Sequence, residues 1–340
     1  MSTTEIPSGE GALRGPGPRD SGHPGRPAAR GTGGSTPWST GWQPLAGAAL
    51  LERLRVTGRP RPAADPALAS DLRSYIDSGL HEMFGQDAGP ALVVTKDRLT
   101  RALACPAHRW GERTGERSGA AEFTMPLATG ALVDVLFRQL VTIGSIDSPM
   151  ADAMDGLCAD SHRAPLVGWI EGLASAEQRE LRSEVERQAD GLRQRWPALD
   201  PSWLPRTQTP LRAVLAEGHV DLSVYVDLAI GRPAADVASV ALVDVRSGGR
   251  HPGHRDDRHL CALVEALRSP APPFAVATYY TKTGELDVDP VDSELLAAAA
   301  RRCLVGIRAM DSLNRGEEPG RTDSGSSDSG SSDSGSSDSG

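Results

Sequence analysis

Two hydrophobic periods divide the chain. In residues 66–84, Leu68, Leu72, Ile76 and Leu80 recur every four positions, which predicts a helix with one apolar stripe. Gly85, Gly89 and Pro90 break it, and residues 91–95 form a short extended run. Residues 96–104 return to helical spacing and stop at Cys105-Pro106, because the residue before proline avoids the helical region. Residues 127–143 predict a buried helix with Val133, Leu136, Phe137 and Leu140 on one face, and residues 147–174 one or two shorter helices. Ser175-Ala-Glu-Gln178 has the form of a capping box, opening a charged helix that Trp196-Pro197 closes. The period then shortens. Residues 211–216, 221–230 and 239–246 predict strands, with turns at Gly218 and at Gly231-Arg-Pro233. A helix over 256–268, a strand over 274–281 turned by Thr283-Gly284, and a helix over 291–312 follow. Helices followed by β-β-β-α-β-α predict an α/β fold, a mixed central sheet flanked by helices behind a helical N-terminal segment.

The two ends lack any such period. Residues 1–46 are mostly Gly, Pro, Ser, Thr and Arg, and the last residues repeat Asp-Ser-Gly-Ser-Ser. Neither composition can bury enough apolar surface to offset chain entropy. The expected organisation is a disordered arm over 1–46, a single domain over 47–312, and a disordered tail over 313–340. Within the domain, residues 47–205 are mainly helical and 206–312 hold the β-β-β-α-β-α core. The net charge of −9 excludes binding to nucleic acid by bulk charge but leaves room for a local arginine-lined groove. Nearly every cation is arginine, with Lys96 and Lys282 the only lysines. The four cysteines lie far apart without a C-x-x-C pair, which argues against a disulfide framework or zinc ribbon. No apolar run suggests a membrane span, and the first residues lack the apolar core of a secretion signal. The expectation is a cytoplasmic protein.

Val243-Asp244-Val245-Arg246-Ser247-Gly248 carries the first hint of chemistry. Alternation along a strand puts Asp244 and Arg246 on one face. If the preceding strand folds back beside it, Asp227 stands next to Asp244. Two carboxylates and a backbone carbonyl, that of Val245, make a hard oxygen site suited to Mg²⁺ or Mn²⁺. Arg246 could then stabilise charge developing on a phosphoryl group. The plain alternative is an exposed ion pair of little energetic consequence. Walker, G-x-G-x-x-G, G-x-S-x-G and H-E-x-x-H motifs are all absent.

The stretches Tyr225-Val-Asp227-Leu-Ala-Ile-Gly231 and Ala241-Leu-Val-Asp244-Val-Arg246-Ser-Gly248 together resemble the core of the PD-(D/E)xK nuclease superfamily, in its RecB-like exonuclease branch. Val94-Thr95-Lys-Asp97-Arg-Leu99 followed by Ala104-Cys105-Pro106, and the helix Gly130-Ala-Leu-Val-Asp134, are similar to two further segments of that branch, in the same order. The resemblance implies a divalent-metal-dependent DNA nuclease. Asp227, Asp244 and Arg246 would be catalytic, and Asp134, Asp227, Asp244 and the Val245 carbonyl would hold Mg²⁺ or Mn²⁺. DNA would be the substrate, with a helicase or another repair or defence protein as partner.

The departures are specific. Asp134 stands where the family has a histidine, and could equally be an ion-pair partner of Arg138. Arg246 replaces the family's lysine, keeping the charge but never releasing its proton. His259 and Leu263 replace a glutamine and a tyrosine. These changes favour an alternative, a catalytically inactive module of the same fold that binds DNA or serves as a scaffold. A third reading is an unrelated α/β domain with a fortuitous Asp-x-Arg. Cys105 could begin the iron–sulfur ligand set of some members, but Cys158, Cys261 and Cys303 are too scattered to complete it, so no cluster is expected. The basic stretch holding Arg250, Arg255, Arg258 and His259 reads as a loop meeting DNA phosphates, as a zinc site with His251 and His254, or as a solvated helix approach with Asp256 and Asp257 in the first turn. Of Tyr279 and Tyr280, alternation predicts one inward and one outward.

Overall fold

The computed structural model describes residues 47–55, 58, 60–84, 91–103 and 123–315. The arm over 1–46, the stop at Cys105-Pro106 and residues 316–340 of the tail lie outside them. The described residues belong to one compact unit, Pro44–Gly340.

The helical half follows the predicted stripes. After the short α1 (Gly47–Leu54), α2 (Leu68–Phe84) buries Leu72, Ile76 and Leu80. Helix α3 (Lys96–Leu103) buries Leu99 and Ala102. Helix α4 (Met125–Ile143) is fixed at both ends by local chemistry. The Thr124 hydroxyl accepts from the Leu127 N–H, Pro126 occupies the first turn, and Gly144 ends the helix at φ 90°. Only α4, among the described helices, has the length and apolarity of a membrane span, and its Leu132, Val133, Leu136 and Phe137 are buried inside the protein. Two helices, α5 (Pro149–Cys158) and α6 (Ala164–Glu171), cover the 147–174 region. The expected capping box is displaced by one residue. Ser175 already lies in α7 (Ser175–Arg195), and the bond present is the return one, from the Ala174 N–H to Glu177 Oε2 at 3.0 Å.

The sheet is six-stranded and mixed. Strand β1 (Leu92–Val94) runs parallel to the start of β3 (Val220–Ile230), and β2 (Arg206–Leu215) pairs antiparallel along most of it. Strand β4 (Ala241–Arg246) pairs antiparallel with the end of β3. Helix α8 (Pro252–Arg268) crosses to β5 (Ala275–Tyr280), which lies parallel to β4, and β6 (Glu285–Pro290) closes the edge. The final helix, α9 (Ser293–Arg315), extends three residues past the expected domain end.

Three differences from the sequence reading matter for the site. Strand β2 begins at Arg206, five residues early. Helix α8 begins at Pro252, with His251 as its cap accepting from the Gly253 N–H at 3.1 Å, so Asp256 and Asp257 fall in the second turn. Strand β6 was not expected; its Glu-Leu-Asp-Val-Asp-Pro sequence buries Leu286 while its acidic side chains pair with arginines.

Apolar packing lies on both faces. One core joins the sheet to α2, α3, α8 and α9, and the other joins it to α4 through α7. Chemistry-bearing side chains gather where the two cores meet at the end of β4.

Candidate active site

The β3–β4 register carries Leu228 opposite Val243, which puts Asp227 opposite Asp244 at the next position. Asp227 Oδ2 accepts from the Val245 N–H at 2.7 Å. The alternation of β3 breaks here: Val226 belongs to one core and Leu228 to the other. Opposite Asp227 on β2, between the pairs Thr207–Leu228 and Thr209–Val226, stands Gln208 with φ 48°. This left-handed backbone is uncommon for a side chain other than glycine. Gln208 Nε2 donates to Asp227 Oδ1 at 3.2 Å and to Asp134 Oδ1 at 3.1 Å, linking β3 to α4. Gly130 lets α4 approach, since a Cβ there would meet Ser247 Oγ at 3.2 Å.

Asp244 is the most buried acid of the group, 2% exposed. Lys96, at the start of α3, donates to its two carboxylate oxygens at 2.8 and 3.0 Å. Arg246 reaches Asp244 at 3.2 Å and Asp257 of α8 at 3.0 Å, and Asp257 also accepts from the Thr100 hydroxyl. Arg246 Nε is buried and has no hydrogen-bond partner among the described residues. A cleft of about 510 Å³ opens beside Ser247 and Gly248, lined also by Thr129, Arg187, Gln188 and Lys282.

The electrostatics separate the two central acids. Burial would raise the Asp244 carboxyl, but Lys96 and then Arg246 overcome it and hold it below its ordinary range. Burial would lower the Lys96 ammonium, and Asp244 reverses this, so Lys96 stays charged. Among the described residues, Asp227 has only a backbone N–H and an amide as hydrogen-bond donors. Burial, then the charges of Asp244 and Asp134, push it up to about 7. Asp134 is also raised, because burial outweighs Arg138, Arg163 and Gln208.

Asp134, Asp227, Asp244 and Arg246 thus come together at the end of β4. The Arg138 pairing of Asp134 is present as well, at 3.4 Å. Val245 contributes its N–H to Asp227. Lys96 and Gln208 were missed. Lys96 carried a signal, as one of two lysines in an arginine-rich chain; Gln208, upstream of the predicted strand, carried none.

The basic stretch is committed to internal pairs. Arg258, with its side chain 7% exposed, and His259 meet Asp289 at 2.7 and 2.8 Å, and Arg255 meets it at 3.4 Å. Arg250 pairs with Glu285 and Asp287. His251 caps α8, and His254 Nδ1 lies 3.4 Å from the Tyr280 hydroxyl. Tyr279 and Tyr280 are both buried, because β5 is covered on both faces. Cys158 is exposed, whereas Cys261 and Cys303 are buried, and Cys105 lies outside the described residues.

No family model and no curated protein matches the chain. Among the described residues, no group of three or more His, Cys, Asp or Glu side chains is gathered closely enough to hold a metal ion. The donors nevertheless have suitable chemistry: hard carboxylate oxygens from α4, β3 and β4, with Asp227 lacking a cationic hydrogen-bond partner among the described residues.

Proposed function

We propose that the chain is a divalent-metal-dependent phosphodiesterase acting on DNA, a nuclease of the PD-(D/E)xK kind. The observation that carries this reading is the placement of Asp227 opposite Asp244 on neighbouring strands, with the Lys96 ammonium and the Arg246 guanidinium on Asp244. Asp227 and Asp244 would hold Mg²⁺ or Mn²⁺, with Asp134 completing the set. When bound, such an ion supplies Lewis acidity and a more acidic water.

The remaining roles belong to the chain. Lys96 keeps its proton, so it acts as a fixed charge and hydrogen-bond donor and not as a base. Here the ammonium comes from α3, where the sequence resemblance offered only a guanidinium. Arg246, bonded to Asp244 and Asp257, would keep a fixed positive charge beside the carboxylates, where charge develops on a phosphoryl group.

A second reading has its own support. Lys96 and Arg246 already neutralise Asp244, which suits a binding or scaffold module that works without an ion.

The test is cleavage of labelled single- and double-stranded DNA by the full chain with Mg²⁺, Mn²⁺ or a chelator. Metal-dependent cleavage lost in a folded Asp244→Asn variant supports the nuclease. DNA binding without cleavage or metal uptake supports the module, and neither activity overturns both.

A further inference from the structure

We infer that the uncovered face of the sheet around Tyr225 is a docking surface for a second copy of this chain. The inference goes beyond the phosphodiesterase reading and does not depend on it.

The sheet is covered unevenly. The core on α2, α3, α8 and α9 takes in Val94, Leu211, Leu215, Leu222 and Val226. The core on α4 through α7 takes nothing from β1 or β2, and from β3 only Leu228 and Ile230. On that side β1, β2 and the first half of β3 lack a helical layer among the described residues. Strand register puts Val93, Pro210, Val214, Tyr225 and the Arg212–Asp221 pair on this face. Tyr225 is 59% exposed, and Val93, Pro210 and Val214 are exposed as well. Apolar side chains gathered on one open face, with a polar pair among them, mark an interaction surface.

Charge selects the partner. Arg212 and Asp221 are already paired at 2.9 Å, and Arg98 at the rim is turned back onto the Val93 carbonyl at 2.6 Å. Two residues past Tyr225 the face ends at Asp227. A polyanion, whether a nucleic acid or the aspartate-rich tail of the chain itself, finds no surplus positive charge there. A second copy finds its complement. Across the strands Pro210 stands opposite Tyr225, and Arg212 opposite Ser223. A two-fold axis running along the strands between β2 and β3 lays β2 of each copy over β3 of the other. Each Tyr225 then meets the second copy's Pro210, and each Arg212 lies beside the second copy's Asp221. An axis along β3 would instead oppose the two Asp221 carboxylates. Pairing through the edge of β2 is blocked, because Pro210 has no N–H, Gln208 interrupts the strand at φ 48°, and Arg73 donates to the Val214 carbonyl at 2.8 Å. The copies therefore stack face to face. The face is smaller than the roughly 20–30 residues a side of a standard interface, so the dissociation constant is on the order of 10–100 μM.

Sedimentation velocity of the full chain from about 1 to 300 μM tests this. The expected result is reversible dimerisation, weakened about tenfold or more by Tyr225→Glu, which sets a carboxylate against the second copy. Arg212→Asp and Asp221→Arg, each alone, should weaken it by about as much, because like charges then face each other across the axis. The pair is exposed on the arginine side, so both variants keep their fold, which circular dichroism checks. An equimolar mixture of these two variants should dimerise again, since each copy then opposes unlike charges on the other. That rescue cannot come from the internal pair, which is broken in both. A parent that stays monomeric to about 300 μM overturns the proposal. A dimer that Tyr225→Glu leaves intact overturns it too, and so does a mixture of the two charge variants that stays monomeric.

Discussion

Lys96 Nζ lies 2.8 and 3.0 Å from the two carboxylate oxygens of Asp244, although 148 positions separate the residues in the chain. The contact joins the start of α3 to the end of β4 across the edge of a core. Asp244 is 2% exposed and the Lys96 side chain 17% exposed, so neither charge has much recourse to water. Removing one partner of such a pair leaves the other buried and uncompensated, which costs far more than the pair itself contributes. Lys96→Met should therefore lower stability by about 3 kcal/mol in urea unfolding at pH 7. Adding Asp244→Asn should recover part of that loss, with a coupling energy of at least ~1 kcal/mol in the double-mutant cycle. Additive single losses would show that the two charges are independently solvated.

How far the site could be read from the chain depended on distance along it. Asp227 and Asp244 lie on adjacent strands, and strand alternation with turn signals sufficed to bring them together. Asp134 came only through resemblance to a family segment. Lys96 joins the group through the packing of α3 against α8 and α9, which no local period encodes. Gln208 depends on a left-handed residue inside β2, and glutamine gives no hint of that conformation. Strand β6 was hidden because its alternation is carried by just Leu286 and Val288 among acids that pair with arginines on α8 and in the segment before it. Both tyrosines of β5 are inside because helices cover both faces of a strand that alternation alone treats as half-exposed.

The arginines expected to meet DNA differ in what they do. Arg258 has a side chain only 7% exposed, held by Asp289 at 2.7 Å and by Thr278 Oγ1 at 3.2 Å. Asp289→Ala should cost about 3 kcal/mol, because it strips a buried guanidinium of its counter-charge. Arg255 is 65% exposed at the rim of the same cluster. Arg255→Ala should change stability by no more than ~0.5 kcal/mol. Urea unfolding of both variants checks the contrast. Equal losses would mean that the cluster is held as one unit.

Acid sensitivity should arise partly at His254. Burial lowers it to about 4, and the nearby charges of Arg246, His251 and Arg258 act in the same direction, opposed by Asp244. The unfolded chain takes up the proton near the ordinary value of 6.5, while the folded chain takes it up only near 4. Between these values the unfolded state binds more protons, so stability falls as pH drops through the window. His254→Phe, which keeps a ring beside Tyr280, should show a shallower fall between pH 7 and pH 4.5 than the parent. Urea midpoints at those two pH values give the comparison, and parallel curves for parent and variant would remove His254 as a cause.

Tyr279 offers a test of the core that supports α4. Its ring lies 4.8 Å from that of Trp196, which lies 4.8 Å from Phe137, so an edge-to-face chain connects β5 to the helix bearing Asp134. The Tyr279 hydroxyl, however, is buried without a hydrogen-bond partner among the described residues, and its pKa is pushed up to about 12 by that burial. An unpaired buried hydroxyl is a cost, whereas the ring provides the packing. Tyr279→Phe should therefore leave stability unchanged or raise it by up to ~1 kcal/mol. Tyr279→Ala should lower it by about 3–5 kcal/mol, through the cavity left between Trp196 and the sheet. Thermal and urea unfolding of the two variants separate ring from hydroxyl. A loss above ~1 kcal/mol for phenylalanine would mean that the hydroxyl is hydrogen-bonded in the folded protein.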